Sequence, residues 1–262
     1  MTHTLEDYYK QRYLPLRLIG CRPGTLEQYA VSLHHWKSFC PEVLPLGQIN
    51  TMTLAKFASA LTAGRQPATV NKTLRHLRAI LRLARREGAI RHMPRIPHLR
   101  EPRRTPVAFL KEEFGAILQA VIVLGGDYNG VPRSAWWRSF LLSDWDTGLR
   151  AGALLQTLTC DVRLDGIPGL YIQPEFQKTW TGGWYAIHPE TVEAIGHIYD
   201  PGRKQLWPWP FGIKVLPKHF RKICEAAGII CPKRTGCLLQ RLHRTEEKTV
   251  APRVFSQLSP TA

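Results

Sequence analysis

One stretch decides the fold of the first part of the chain: Pro67-Ala-Thr-Val-Asn-Lys-Thr-Leu-Arg-His-Leu-Arg-Ala-Ile-Leu-Arg-Leu-Ala-Arg-Arg-Glu-Gly88. Proline favours the first turn of a helix and glycine commonly ends one, so the stretch predicts a helix over residues 68–87. Apolar side chains recur at steps of three and four residues, which places them on one face; they are Val70, Leu74, Leu77, Leu81 and Ala84. Six cations fall on a different face, namely Lys72, Arg75, Arg78, Arg82, Arg85 and Arg86. The pattern therefore predicts a helix with a core face and a cationic face.

The cationic character continues on both sides of this helix. From Arg65 to Arg104 the sequence has twelve Lys or Arg against two acids, Glu87 and Glu101, and so supplies ten of the chain's sixteen net charges. A solvated helix usually mixes charge signs to gain ion pairs between residues three or four apart. Because this helix carries cations with almost no acids, its cationic face is predicted to bind phosphates and not merely to be solvated. The residues predicted to bind DNA are Thr69, Asn71, Lys72, Arg75, Arg78, Arg82, Arg85 and Arg86.

The whole chain is basic, with 36 Lys and Arg against 20 Asp and Glu in 262 residues and a formal charge of +16. Such an excess repels itself, so a polyanionic partner is expected: nucleic acid first, an anionic membrane surface second. A protein that is simply soluble and cationic is the alternative. The sequence contains neither a long apolar run nor a signal peptide, so we expect a cytoplasmic protein without a membrane partner.

Neither a metal nor a cofactor is expected. The six cysteines are widely spread and include no Cys-x-x-Cys pair, so they indicate neither a zinc site nor a disulfide framework. Cys224, Cys231 and Cys237 lie loosely together, but their spacing fits no ligand pattern. We interpret the cysteines as small hydrophobic residues.

Periodicity and breaker residues divide the chain into two domains. Further helices are predicted at 25–40 and 51–61, which gives a helical domain over residues 1–93. Residues 94–106 contain four prolines and no period, so they are predicted to form an extended linker.

The second domain is predicted to be mixed and to cover residues 107–245. Helices are predicted at 110–118, 134–145, 151–158, 189–199 and 213–227. Two short strands, 169–173 and 183–187, are predicted to form a hairpin. Residues 246–262 show little hydrophobic pattern and are expected to be a disordered tail. The predicted fold class is mainly α with a small β-hairpin or sheet.

Two segments resemble the tyrosine recombinases, also called phage integrases. Residues 68–94 look like the last helices of that family's core-binding domain, and Asp146-Thr-Gly-Leu-Arg-Ala-Gly-Ala-Leu154 resembles its T-G-L-R-x-x-E-L segment. The resemblance covers about residues 20–245. It implies a helical, SAM-like core-binding domain, a linker and a mixed α+β catalytic domain, which together clamp double-stranded DNA during DNA integration and recombination.

The same resemblance assigns catalytic roles by position. Arg150 matches the arginine that binds the scissile phosphate, and a guanidinium fork suits two phosphate oxygens; a helix-capping arginine is the plain alternative. Lys178 lies on the turn of the predicted hairpin and matches the family's general-acid lysine, with an ordinary exposed turn lysine as the alternative.

The third block of the resemblance is degenerate. In the segment 233–245, Gln240 stands at the family's histidine position, His243 at its arginine position, and Arg244 and Thr245 continue the pattern. Glutamine cannot shuttle protons, and histidine lacks the bidentate fork of arginine. Ala153 replaces the usual acid after the first arginine, and no tyrosine follows Tyr199. The resemblance therefore predicts no nucleophile and a degenerate or C-terminally truncated member of the family.

Three functions are compatible with these patterns. The favoured one is a DNA-binding recombinase relative that does not complete strand cleavage alone. The second is an active site-specific recombinase whose nucleophile is supplied by another recombinase protomer. The third is a non-enzymatic helical DNA-binding regulator, which the order of Arg150 and Lys178 disfavours.

Overall fold

A computed structural model of the protein describes residues 3–40, 44–102 and 108–229. The chain divides into two compact units, residues 1–104 and 105–262. The described residues are mostly helical and form two small antiparallel sheets, both in the second unit, which confirms the predicted fold class.

The named elements of the first unit, over its described residues, are all helices or helical turns. Residues 5–17 form one helical run in three parts: α1 (Leu5–Tyr8), a π-helical turn (Tyr9–Tyr13) and α2 (Leu14–Arg17). The helices α3 (Pro23–Phe39), α4 (Thr51–Thr62) and α5 (Pro67–Arg86) follow, with a 3-10 turn (Leu46–Gln48) before α4. These three helices match the predictions at 25–40, 51–61 and 68–87, whereas the run at 5–17 was not predicted.

Local sequence explains where these helices begin. Thr4 and Asp7 form a capping box in which each side chain accepts a hydrogen bond from the other residue's backbone N–H. The Asn50 side chain accepts from the backbone N–H of Thr53 and so caps α4. Pro67 occupies the first position of α5, where no intrahelical N–H is needed.

The core of the first unit is formed where α3, α4 and α5 meet. The five apolar residues predicted for the core face of α5 are all at most 1% exposed. Trp36 of α3 meets Phe57 of α4 edge to face, with ring centroids 5.1 Å apart. The core face predicted from periodicity is therefore the observed one.

The second unit is built around one buried helix. In chain order it contains α6 (Lys111–Ile122), β1 (Asp127–Tyr128), β2 (Val131–Pro132), α7 (Arg133–Thr147), α8 (Ala151–Leu154), β3 (Val162–Arg163), β4 (Gly169–Ile172), β5 (Gly183–Ala186), α9 (Pro189–Gly196) and α10 (Leu216–Ala226). Three 3-10 turns (Thr159–Asp161, Pro174–Phe176 and Ile213–Val215) lie between them. α7 buries Trp136 and Phe140, whose rings stack with centroids 4.8 Å apart. The Trp136 indole donates to the carbonyl of Pro208 at 2.8 Å, so its polar atom is satisfied inside the core.

The predicted hairpin is present and gains a third strand. β4 pairs with β5 in antiparallel register, with Leu170 opposite Tyr185 and Ile172 opposite Gly183. β3 pairs with the other edge of β4. The helix predicted at 151–158 ends at Leu154 instead, because Leu206 donates its backbone N–H to Thr157 and Thr159 donates to Lys204.

Candidate nucleic-acid interface

The helix α5 presents three faces. The first is the core face described above. The second lies against residues 94–102, which have no regular secondary structure but belong to the first unit. The third is open to solvent, and along it Lys72, Arg75, Arg82 and Arg86 follow one another at steps of three, seven and four residues. These four residues are called the cationic stripe below.

The stripe is not neutralised within the described part of the chain. Arg75, Arg82 and Arg86 are exposed, and no hydrogen bond or salt bridge to a described residue is formed by their side chains. Arg85 is also exposed, as is Thr69 near the start of the helix. Lys72 is half-buried and donates to the side-chain oxygen of Gln28 at 2.6 Å.

The two acids of this basic region are both engaged elsewhere. Glu87 accepts a hydrogen bond from the Tyr8 hydroxyl at 2.6 Å and forms a salt bridge with Arg12 at 3.1 Å. Glu101 accepts from the Asn71 amide at 2.6 Å. Neither carboxylate forms a salt bridge with a described cation of α5, although the nearby charge of Arg86 contributes to the lowered pKa of Glu87.

Asn71 and Arg78 lie on the second face of α5 and not in the cationic stripe, so their binding to DNA stays a prediction. Asn71 is 2% exposed, and its amide is bonded to the backbone of Leu99. Arg78 is half-buried and donates to the carbonyl of Ile96 at 3.3 Å. Helical periodicity placed these residues near the cations, but it carries no information about where residues 94–102 fold.

Next to the stripe, α3 adds polar groups that periodicity did not reveal. The Ser32 hydroxyl is hydrogen-bonded to Nδ1 of His76 at 2.7 Å, and the His76 ring stacks on Tyr29 with centroids 4.4 Å apart. Burial, followed by the nearby charges of Lys72 and Arg75, lowers the pKa of His76. The neutral imidazole is therefore favoured beside the stripe.

In the second unit, Arg150 is held at a sharp turn. Gly148 ends α7 in the left-handed conformation, with φ of 66°. Leu149 then points into the core, and Arg150 follows as an exposed residue at the start of α8. The Arg150 carbonyl accepts from the backbone of Ala153 and Leu154, but its side chain makes no capping hydrogen bond. The turn thus presents the guanidinium to solvent.

Asp146, which sequence reasoning did not single out, ties this turn to the segment after β5. Its carboxylate accepts from the backbone N–H of His188 at 2.8 Å and from the Thr191 hydroxyl at 2.6 Å. It also bonds Nδ1 of His188 at 2.9 Å. Asp146, which lies four residues before Arg150, therefore ties the end of α7 to the exit of the hairpin and the start of α9.

Lys178 is exposed on the ten-residue loop between β4 and β5. The loop is held by the Gln177 side chain, which bonds the Tyr185 hydroxyl at 3.0 Å. It also closes tightly at Gly182, where a Cβ would lie 2.9 Å from Pro174 Cδ and from the Tyr171 hydroxyl. Arg150 and Lys178 are thus both exposed in the second unit, and no hydrogen bond or salt bridge between described residues joins them.

The remaining predicted catalytic residues, Gln240, His243 and Arg244, lie outside the described residues. Within the described ranges, no group of three or more His, Cys, Asp or Glu is arranged to hold a metal ion. In those same ranges, no helix has the length and apolar character needed to cross a membrane.

Comparison with known proteins gives one family match and a consistent set of structural relatives. Residues 4–96 match the family described as Phage integrase SAM-like domain. No curated protein sequence matches the chain significantly.

Three solved structures illustrate the likeness. A lambda integrase dimer bound to a COC′ core site shares 19% identity with a TM-score of 0.68, covering 92% of this chain and 84% of that one. The Tn1549 transposon integrase in complex with transposon right end DNA shares 14% identity with a TM-score of 0.74, over 92% and 85%. The XerH site-specific recombinase bound to its difH substrate shares 16% identity with a TM-score of 0.62, over 93% and 74%. Residues 4–96 are therefore similar to the phage integrase SAM-like domain, and over most of its length the chain shares the fold of these three DNA-bound proteins.

Proposed function

We propose that this protein binds double-stranded DNA as a member of the tyrosine recombinase family, and that the cationic stripe of α5 contacts the phosphate backbone. The observation that carries the proposal is the arrangement of Arg75, Arg82 and Arg86 on one open face whose neighbouring acids are engaged elsewhere. Lambda integrase, Tn1549 integrase and XerH, which share this fold, are each described in complex with DNA.

The geometry of the stripe suits a phosphate backbone. Exposed arginines that form no hydrogen bond or salt bridge with described residues keep their donors for phosphate oxygens, with which they form bidentate contacts. Each phosphate they neutralise releases condensed counterions, so affinity depends steeply on salt. The net charge of +16 adds long-range attraction to DNA.

The proposal extends to catalysis: the protein does not complete strand cleavage alone. Gln240 offers no proton transfer, and His243 offers no permanent bidentate fork. Ala153 is 4% exposed within the core of the second unit and supplies no carboxylate beside Arg150. Catalytic groups act as a unit, so these replacements together are expected to lower the rate by several orders of magnitude.

A second candidate is strand transfer with a nucleophile supplied by another protomer. It is favoured by the exposure of both Arg150 and Lys178, the two residues that keep the family's chemistry. Lambda integrase is described as a dimer and as a tetramer bound to a Holliday junction, so partners on one DNA have a precedent within this fold.

One experiment tests DNA binding and strand cleavage by this protein on its own. Purified full-length protein is incubated with a labelled suicide duplex library, and the mixture is run on a native gel and on a denaturing gel. The proposal predicts a retarded band on the native gel and no covalent adduct on the denaturing gel. An adduct that Arg150→Ala abolishes would establish cleavage and contradict the catalytic part of the proposal. Absence of a retarded band at low salt would contradict DNA binding itself.

A further inference from the structure

Asn71 makes an unusual set of contacts for a residue on a basic helix. Its amide nitrogen donates to the carbonyl of Leu99 at 2.8 Å and to the Glu101 carboxylate at 2.6 Å. Its amide oxygen accepts from the backbone N–H of Leu99 at 2.9 Å. One side chain thus satisfies both backbone groups of Leu99, much as a neighbouring strand would.

Other contacts hold the same segment along its length. The side chain of Ile96 is 8% exposed and belongs to the core of the first unit. Arg78 donates to the Ile96 carbonyl at 3.3 Å, and the backbone N–H of Arg95 donates to the Thr51 hydroxyl at 3.0 Å. Residues 94–102, which belong to the segment predicted to be an extended linker, are therefore held on α4 and α5.

The fixed segment turns its basic side chains outward. Arg95, His98 and Arg100 are exposed, whereas Ile96 is buried between them and Leu99 is half-buried. The side chains of Arg95 and Arg100 form no hydrogen bond or salt bridge with a described residue. The segment lies on the side of α5 that carries Asn71 and Arg78, next to the side that carries Arg75 and Arg82.

We infer that the segment 94–102 is a second phosphate-contacting element and that Asn71 is the positioning residue that holds it in register with the cationic stripe. The inference rests on the proposed DNA binding and assigns its partner chemistry: the sugar–phosphate backbone of duplex DNA. A tethered pair of guanidiniums costs less conformational entropy on binding than a pair on a free linker. Asn71 contributes no charge. It holds Arg95 and Arg100 at positions from which they and the cationic stripe can contact the same DNA backbone.

The test compares the salt dependence of duplex DNA affinity among variants of the full chain. The double variant Arg95→Ala/Arg100→Ala removes two contacts and is expected to lower the log–log salt slope by about 1.8. Asn71→Ala removes no charge, yet it is expected to lower the slope in the same direction because the segment is released. The variant with all three substitutions should have nearly the same salt slope as the double variant and as Asn71→Ala.

Matched controls separate positioning from general damage. Thr73→Ala removes a polar side chain that is as buried as Asn71 on the same helix, with its hydroxyl bonded to the Thr69 carbonyl, and should leave the slope unchanged. Lys37→Ala/Lys56→Ala removes two exposed charges of the same unit and should also leave it nearly unchanged. Circular dichroism reports whether Asn71→Ala folds; if it does not, Asn71→Ser takes its place, because serine is polar but too short to bond both backbone groups of Leu99.

The outcomes distinguish this inference from the proposed function. If the wild type binds DNA and Arg75→Ala/Arg82→Ala weakens it, but the arginine double variant keeps the wild-type slope, the segment contacts no phosphate and the inference is wrong alone. Two results would show that Asn71 has no positioning role. One is a folded Asn71→Ala protein with the wild-type salt slope; the other is a triple variant whose change in slope equals the sum of the changes in Asn71→Ala and in the arginine double variant. A wild type that does not bind DNA overturns both proposals.

Discussion

At the scale of single residues, Glu87 links the start of the chain to the end of α5. It accepts from the Tyr8 hydroxyl at 2.6 Å and from two nitrogens of Arg12 at 3.2 and 3.1 Å. The hydrogen bond from Arg12, followed by that from Tyr8, holds the pKa of Glu87 below its usual value. A carboxylate at a helix C-terminus opposes the helix dipole, so these partners are what make the position favourable.

The pH dependence of stability follows from the sign of that shift. Because the folded pKa of Glu87 is depressed, its contribution is present above the unfolded pKa and is lost as pH falls through the folded pKa. Glu87→Gln should therefore lower the free energy of unfolding near neutral pH, and by a smaller amount at about pH 3. Urea unfolding at both pH values measures this. The control is Glu27→Gln, at an exposed acid of α3; an equal loss for Glu87→Gln at both pH values would contradict the account.

At the scale of elements, the β4–β5 hairpin depends on a glycine that the sequence pattern treated only as part of a turn. A Cβ at Gly182 would lie 2.9 Å from both Pro174 Cδ and the Tyr171 hydroxyl, and 3.0 Å from the Ile172 carbonyl. The Pro174 ring belongs to the base of the loop and the Ile172 carbonyl to the backbone of β4, so neither can move without displacing the chain around it. The close approach positions the loop that carries Lys178.

Gly182→Ala is accordingly expected to destabilise the second unit by about 1–3 kcal/mol through overpacking. Gly212→Ala is the matched control, since a Cβ there meets nothing within 4 Å and the backbone is not left-handed. Urea unfolding of both variants gives the comparison. Equal stability of the two variants would mean that the loop relaxes freely and that its geometry is not fixed by Gly182.

The elements also show which features the sequence could predict. The period of α5 identified its core face because burial of Val70, Leu77 and Leu81 depends on local spacing alone. Asn71 and Arg78 could not be separated from the stripe, because their partners lie 28 and 18 residues away in a segment without a period. The run at 5–17 escaped prediction because its parts are short and its anchoring partner, Glu87, is distant. Arg150 was predictable from its motif, whereas Asp146 acts through a contact 42 residues away.

At the scale of the whole molecule, the large net positive charge and the local arrangement of the cations affect DNA binding in different ways. The net charge of +16 attracts DNA from any direction. Only cations that contact phosphates directly displace counterions, so the salt slope measures the number of phosphate contacts. The affinity itself depends on these contacts and also on the long-range attraction of the net charge. The two effects can be separated by removing equal charge from different faces of the first unit.

The salt slope of DNA affinity decides whether the cationic stripe contacts phosphates. Arg75→Ala/Arg82→Ala/Arg86→Ala is compared with Lys10→Ala/Lys37→Ala/Lys56→Ala, which removes the same charge from exposed positions outside the stripe. If the stripe contacts phosphates, the slope should be shallower by about 2.7 for the stripe variant and nearly that of the wild type for the control. Equal slopes for the two variants would contradict this contact, because charge alone and not the face of α5 would then govern binding.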